Sequence, residues 1–130
     1  MTEEIQYLSK DMIKKSNDRE IIDIEVEEWD GIVGVRPLTM YERRAVRENS
    51  QETKRKSDGT DEIVFNMEVL EIEAMIFACV SPKFERADMD WLMEEKSSGA
   101  ISKISKVIFD ISGLGAQVEK KIHRKNRKRS

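Results

Sequence analysis

The sequence contains few of the residues on which common protein chemistries depend. Its 130 residues include one cysteine, one histidine and two prolines, and aromatic residues make up 6%. A single cysteine excludes an intrachain disulfide and a cysteine-cluster metal site, and a single histidine excludes catalysis by a histidine pair. Cys79 lies within the most apolar predicted helix, where a buried and unreactive thiol is expected. We therefore expect no metal and no cofactor.

Recognisable catalytic and targeting motifs are also absent. The sequence has no nucleophile elbow, no phosphate-binding loop and no HExxH motif, and its acidic pairs are typical of solvated helix faces. The "SGLG" run at 112–115 follows a predicted helix rather than a strand, which is the wrong context for a phosphate loop. The N-terminus lacks the apolar stretch of a secretory signal, and no segment approaches the roughly 20 apolar residues of a membrane span. These features predict a non-enzymatic, cytoplasmic protein.

Charged residues, by contrast, are abundant and unevenly distributed. They make up 38% of the sequence, with a formal net charge of −3. Residues 116–130 hold one acid and seven basic side chains, whereas the rest of the chain holds 25 acidic and 16 basic ones, a formal charge of −9. Such a tail indicates nucleic-acid binding, an acidic protein partner or a solubilising end. Nucleic acid is the least favoured, because the tail has no aromatic residue for base stacking. The basic residues are Lys120, Lys121, Arg124, Lys125, Arg127, Lys128 and Arg129.

The segment 20–37 carries the pattern of a β-hairpin. Apolar and acidic residues alternate over 20–27, which predicts a strand with one buried face. The Asp30-Gly31 pair marks the turn, since glycine accepts a positive φ without steric cost. Pro37 ends the second strand, because proline donates no ladder hydrogen bond. One hairpin is marginal in water, so helices must cover its apolar face.

The residues around this turn have local structural explanations. Trp29 is expected to fold over the hairpin, and Arg36 is expected to pair with Asp30 or Glu42. Thr39 and Glu42 form a capping box that begins a helix. A scaffold role is therefore favoured over a ligand site for the fold motif, which comprises Trp29, Asp30, Gly31, Arg36, Pro37, Leu38, Thr39 and Glu42.

Apolar residues at three- and four-residue spacing predict the helices that follow. The first runs from Thr39 to about Gln51 and is followed by a charged loop, "ETKRKSDGTD". Asp61 is the expected N-cap of a central helix, and Gly113 suits the left-handed position after the last one. Helices are thus predicted over 39–51, 62–80, 86–96 and from Ser97 or Ser98 to about 112.

These elements predict an α+β, mostly helical fold, with an N-terminal β-hairpin followed by about four helices. The expected organisation is an arm over 1–19, a single domain over 20–115 and a flexible basic tail over 116–130. Apolar residues at helix-like spacing in the arm fit either a short helix that docks on a partner or a frayed end.

The order of these segments resembles a known family. The stretch "IIDIEVEEWDGIVGVRPLT" followed by "MYERRAV" resembles the N-terminal signature of phage and prophage tail assembly chaperones of the XkdN-like kind. The segments "FACVSP", "ADMDWLMEEKSSGAI" and "ISKVIFDISGLG" follow in the family's order, so the resemblance covers roughly residues 20–115. The insert "SQETKRKSDGTDE" and the basic tail are not parts of that pattern.

This resemblance implies a role in tail assembly without catalysis. Proteins of the family coat the tape measure protein, help recruit tail tube subunits, and are absent from the finished particle. The implied partners are the tape measure protein and the tail tube protein, in the cytoplasm of a bacterial host. Self-association and a longer frameshifted form stay open, whereas nucleic-acid and membrane partners are not expected. The alternatives are a nucleic-acid-associated regulator that uses the basic tail and a minor structural tail component.

A protein that holds apolar helices needs exposed apolar side chains on its own helices. Methionine suits this role, because its flexible thioether adapts to varied apolar surfaces. The predicted partner contacts are Met40 and Tyr41 on the first helix and Met89, Leu92 and Met93 on the short one.

Overall fold

The structure is a computed structural model that describes residues 4–114, so the predicted basic tail over 116–130 lies outside the described residues. Within that range, short strands and helices are interspersed along the chain. The helices are α1 (Lys10–Lys15), α2 (Met40–Asn49), α3 (Met67–Ala78), α4 (Met89–Glu95) and α5 (Ser98–Ile111). The strands are β1 (Ile22–Val26), β2 (Gly31–Val35), β3 (Gln51–Arg55), β4 (Asp61–Phe65) and β5 (Cys79–Ser81).

The predicted first hairpin forms from β1 and β2, which pair in antiparallel register with Val26 opposite Gly31. Ile24 and Val26 are buried and Glu25 between them is exposed, as the alternation predicts. The turn differs in detail, because a 3-10 turn (Glu27–Trp29) precedes it and Asp30 holds the positive φ of 50°. The prediction that glycine supplies this conformation is therefore wrong. Aspartate tolerates it, and Gly31 instead begins β2.

A third strand extends this sheet, which has the order β1-β2-β5. Val35 lies opposite Cys79, and the Arg36 amide donates to the Ala78 carbonyl at 2.9 Å. The predicted helix over 62–80 is therefore wrong at its end: Cys79 is fully buried, but it lies in β5 rather than in a helix.

The largest difference from the predicted elements is a second hairpin between α2 and α3. Strands β3 and β4 form a separate two-stranded sheet, here called the ribbon (residues 51–65), in which Gln51 lies opposite Phe65. At its tip the Gly59 amide donates to the Lys56 carbonyl at 3.0 Å, and Gly59 has a φ of 89°. This is the three-residue hairpin loop with glycine in the left-handed region. The predicted charged loop and the first turn of the predicted helix are both wrong here.

The helix starts follow side-chain capping. Thr39 confirms its predicted role: its hydroxyl accepts from the Glu42 amide at 3.1 Å, and the Glu42 carboxylate accepts from the Thr39 amide at 3.0 Å. The predicted cap at Asp61 is wrong, because Asp61 lies in β4 and Asn66 caps α3 by accepting from the Val69 amide at 3.1 Å. Helix α4 begins later than predicted, at Met89, after a 3-10 turn (Arg86–Asp88).

The core is centred on α3, as its strong apolar pattern predicts. Helix α3 packs against α2, α4, α5 and β5. Its buried face meets Leu92 of α4 and two isoleucines of α5, Ile104 and Ile108, all of them fully buried. The fold is therefore α+β and mostly helical, and four α-helices follow the first hairpin.

Helix α5 ends in a Schellman motif. Gly113 has a φ of 82°, and its amide donates to the Asp110 carbonyl at 3.3 Å. The Leu114 amide donates to the Phe109 carbonyl at 2.8 Å, which completes the pair of hydrogen bonds. The predicted left-handed position of Gly113 is confirmed, and Leu114 is folded back against the core.

Candidate functional site

An apolar cleft lies between the three longest helices, where α2 and α5 pack on the first half of α3. Its volume is about 330 Å³. We call it the α2 groove. It is lined by Arg43, Val46 and Arg47 of α2, Met67 and Leu70 of α3, and Phe109 and Leu114 at the end of α5.

The floor and the wall of the α2 groove differ in burial. Val46 is fully buried and forms part of the core, while Leu70, Phe109 and Leu114 are partly buried and pack against it. Met67 remains 57% exposed, although it begins the most apolar helix of the chain. The groove is therefore an opening in the core surface that presents aliphatic, aromatic and thioether groups to solvent.

Two arginines border this apolar lining. Arg43 and Arg47 are one helical turn apart on α2, and they also line a second cleft of about 420 Å³. The other charged side chains of α2 are engaged: Glu42 pairs with Arg19 at 2.8 Å, and Glu48 pairs with Arg44 at 3.0 Å. Among the described residues, neither Arg43 nor Arg47 takes part in an ion pair.

The second cleft contains two of the predicted partner contacts. Met40 and Tyr41 line it together with Arg43, Arg44 and Arg47. Met40 is 78% exposed and Tyr41 is 79% exposed. Because this cleft shares two arginines with the α2 groove, the predicted contacts on α2 and the groove form one continuous surface.

The predicted contacts on α4 are placed differently. Leu92 is fully buried, so its prediction as a partner contact is wrong. Helix α4 has only seven residues, and its leucine faces the core. Helical spacing alone does not determine which face of so short a helix is buried. Met89 is half-buried against the core, and Met93 is exposed but lines a separate small cleft beside Glu68 and Ile101. The structure therefore does not bring the α2 and α4 candidates together.

The fold-motif residues form internal contacts. Glu42 pairs with Arg19, whose guanidinium also donates to the Pro37 carbonyl at 2.9 Å. The predicted pairing of Arg36 with Asp30 or Glu42 is therefore wrong, and within residues 4–114 the buried Nε of Arg36 has no hydrogen-bond partner. Leu38 is buried, and its amide donates to the Ser112 hydroxyl at 2.8 Å, which joins the hairpin exit to the end of α5.

Trp29 lies at the corner of the first hairpin, half-buried against the core as expected. It lines an open cleft with Phe84 and Trp91, whose ring centroids are 6.3 Å apart. The Trp91 indole donates to Asp88 at 2.9 Å, so its polar atom is engaged within the fold. The backbone amide of Glu85 and then this indole hold the pKa of Asp88 below its ordinary value. These contacts agree with a scaffold role.

The described part of the chain can also be compared with the requirements of a metal site and of a reactive thiol. There, no group of three or more histidine, cysteine or acidic side chains is placed to hold a metal ion. Burial raises the pKa of the Cys79 thiol to about 12, which disfavours the nucleophilic thiolate. His123 lies outside the described residues.

The predicted partner contacts include none of the residues that line the α2 groove and reach only the adjoining cleft, at Met40 and Tyr41. Arg43 and Arg47 stand in i, i+3 and i+7 relation to Met40, so helical spacing on α2 was the available signal. The residues from α3 and α5 are brought to α2 by tertiary packing, and no local pattern marks them.

Comparisons with protein-family models, with curated proteins and with solved structures found no match to this chain. Within residues 4–114, no helix combines the length and the apolar character needed to cross a membrane.

Proposed function

We propose that the protein is a non-enzymatic tail assembly chaperone of a phage or prophage, acting in the bacterial cytoplasm. It binds the tape measure protein, helps recruit tail tube subunits, and leaves before the particle is finished. The sequence resemblance over roughly residues 20–115 motivates the family. The α2 groove is the structural observation that carries the proposal.

The groove suits a helical client. An apolar cleft between packed helices accepts the apolar face of an amphipathic helix, with anchors at i, i+3, i+4 and i+7. Tape measure proteins are long helical polypeptides, so each of their amphipathic segments can use the same groove. The exposed Met67 in the groove lining and the exposed Met40 in the adjoining cleft supply adaptable apolar contacts.

Co-expression with a fragment of a tape measure protein tests this function. We expect the two chains to co-purify, and we expect Met67→Asp to abolish association, because it places a charge in the apolar lining. The same substitution at Met93, an exposed methionine outside the groove, is the matched control and should leave association intact.

Two outcomes of that experiment would overturn the proposal. One is failure of the soluble wild-type chains to associate. The other is loss of association with Met93→Asp but not with Met67→Asp, which would move the site to α4. Mass spectrometry of purified particles separates a chaperone from a minor structural component, because only the latter is retained.

A further inference from the structure

The charge around the α2 groove indicates the chemistry of its occupant. Resting on the proposed function, we propose that the groove selects an amphipathic helix whose apolar stripe is flanked by acidic residues. Arg43 and Arg47 supply the recognition, and the apolar lining supplies most of the affinity.

The first support is the local charge balance. On α2 the two acids are already engaged, Glu42 by Arg19 and Glu48 by Arg44. Arg43 and Arg47 make no ion pair among the described residues. The groove therefore has one positive edge, along α2, although residues 1–115 carry a formal charge of −9. A carboxylate gives the guanidinium a bidentate partner, which a lysine-flanked helix lacks.

The second support is spacing. Two residues four positions apart on a helix are separated by about 6 Å along its axis. Arg43 and Arg47 have this separation on α2. A bound helix with glutamates at i and i+4 repeats it, so both ion pairs form at once when the two helices lie nearly parallel or antiparallel.

The same charges disfavour the chain's own segments as occupants. The sequence that follows Leu114 carries seven basic side chains and one acid, so arginines at the groove repel it. Helix α1 has no buried residue and presents apolar side chains, but Lys10, Lys14 and Lys15 outnumber its single acid, Asp11. A second copy's α1 is therefore also poorly matched.

Synthetic peptides test the inference with the whole chain. Two 21-residue helical peptides share a leucine stripe and differ only in flanking residues, which are glutamate in one and lysine in the other. We expect the glutamate peptide to bind about tenfold more tightly in fluorescence anisotropy at low salt, from two exposed ion pairs. The difference should shrink in high salt, because screening weakens exposed pairs.

Charge reversal supplies the matched control. The double variant Arg43→Glu, Arg47→Glu should lose the preference or invert it. The variant Lys10→Glu, Lys96→Glu makes the same change of net charge outside the groove and should keep it. Circular dichroism checks that both variants retain the wild-type helix content. If the Arg43→Glu, Arg47→Glu variant does not fold, the neutral variant Arg43→Gln, Arg47→Gln takes its place. It should bind both peptides equally.

The outcomes separate this inference from the proposed function. If both peptides bind equally well and Met67→Asp abolishes binding of both, the proposed charge selection is overturned, while the groove is still a binding site for apolar helices. Binding of neither peptide would overturn both. Chain dimerisation that is lost with Met67→Asp would identify a second copy as the occupant and would also overturn the inference.

Discussion

At the residue scale, Glu73 is the most constrained charged group in the described chain. It is fully buried on α3, and its two carboxylate oxygens accept from the same Arg86 nitrogen at 2.6 Å. Asn49 at the end of α2 donates a further hydrogen bond at 2.9 Å. A buried carboxylate is tolerated only when it is paired, so Glu73 links α3 to α2 through Asn49 and to the 3-10 turn before α4 through Arg86.

Removing this partner should destabilise the fold. We expect Arg86→Ala to lower the free energy of unfolding by about 1–3 kcal/mol, because it leaves the buried carboxylate with one donor; the solvent exposure of Arg86 keeps the cost below that of a fully buried pair. Urea denaturation measures it. In a Glu73→Gln background the same change should cost less, and equal costs in both backgrounds would show that the ion pair is not responsible.

Cys79 gives a second prediction at this scale. Its folded pKa of about 12 lies above the unfolded value of about 8.5, so the neutral thiol is favoured in the fold. This contribution is full below the unfolded pKa and is lost as the pH rises toward the folded one. Between pH 7 and pH 10 we expect wild type to lose about 2 kcal/mol relative to Cys79→Ala, measured as urea midpoints. A constant difference between the two proteins would contradict it, as would rapid labelling of the native thiol.

At the scale of elements, the ribbon contributes little to the core of the described fold. Apart from Val64, every side chain of β3 and β4 is exposed, including Ile63 at 65% and Phe65 at 45%. A two-stranded sheet has little stability of its own. The ribbon is held at its base, where the Asn66 amide donates to the Ser50 carbonyl at 2.8 Å.

The ribbon should therefore be removable. Gln51 and Phe65 are cross-strand partners, so their Cα atoms are close enough for a two-residue turn. Replacing residues 52–64 by Asn-Gly should change the free energy of unfolding by less than about 1 kcal/mol, because no buried side chain is lost. Thermal unfolding followed by circular dichroism measures this. Loss of the cooperative transition would show that the ribbon stabilises the body.

The elements also show how far the sequence predicts this molecule. Capping residues with a strictly local mechanism, Thr39 and Gly113, were predicted correctly, as was the alternating strand β1. The ribbon was missed because its strands are highly charged; the register places opposite charges at facing positions, with Lys54 opposite Glu62, which favours strand pairing. The predictions on α2, Met40 and Tyr41, reached only the cleft beside the groove, and the groove walls from α3 and α5 were missed because these helices are distant in sequence from α2.

At the scale of the whole molecule, the sequence divides into a long acidic part, residues 1–115, and a short basic part, residues 116–130. The formal charge of −9 over residues 1–115 opposes approach to a polyanion, while the seven basic side chains after it favour one. The groove arginines lie within the acidic part, where two guanidinium groups suit the acidic flank of a bound helix better than a phosphate backbone.

This distribution predicts weak nucleic-acid binding. In gel mobility assays at about 150 mM salt, the full chain should not retard duplex DNA, because a short basic tail makes few phosphate contacts and the acidic remainder is repelled. Retardation at low salt should disappear on deletion of residues 116–130. A tight complex at 150 mM salt that depends on the tail would instead favour the regulatory function.

The Schellman turn at the end of α5 has a consequence for whatever the chain carries next. It places Leu114 in the lining of the α2 groove, so a segment fused at this position starts beside that groove. A short flexible tether holds its attached group at an effective concentration of about millimolar. A segment joined at Leu114 would therefore lie close to any helix bound in the groove. At that effective concentration, a contact between the two would be populated even if it were too weak to be measured between separate molecules.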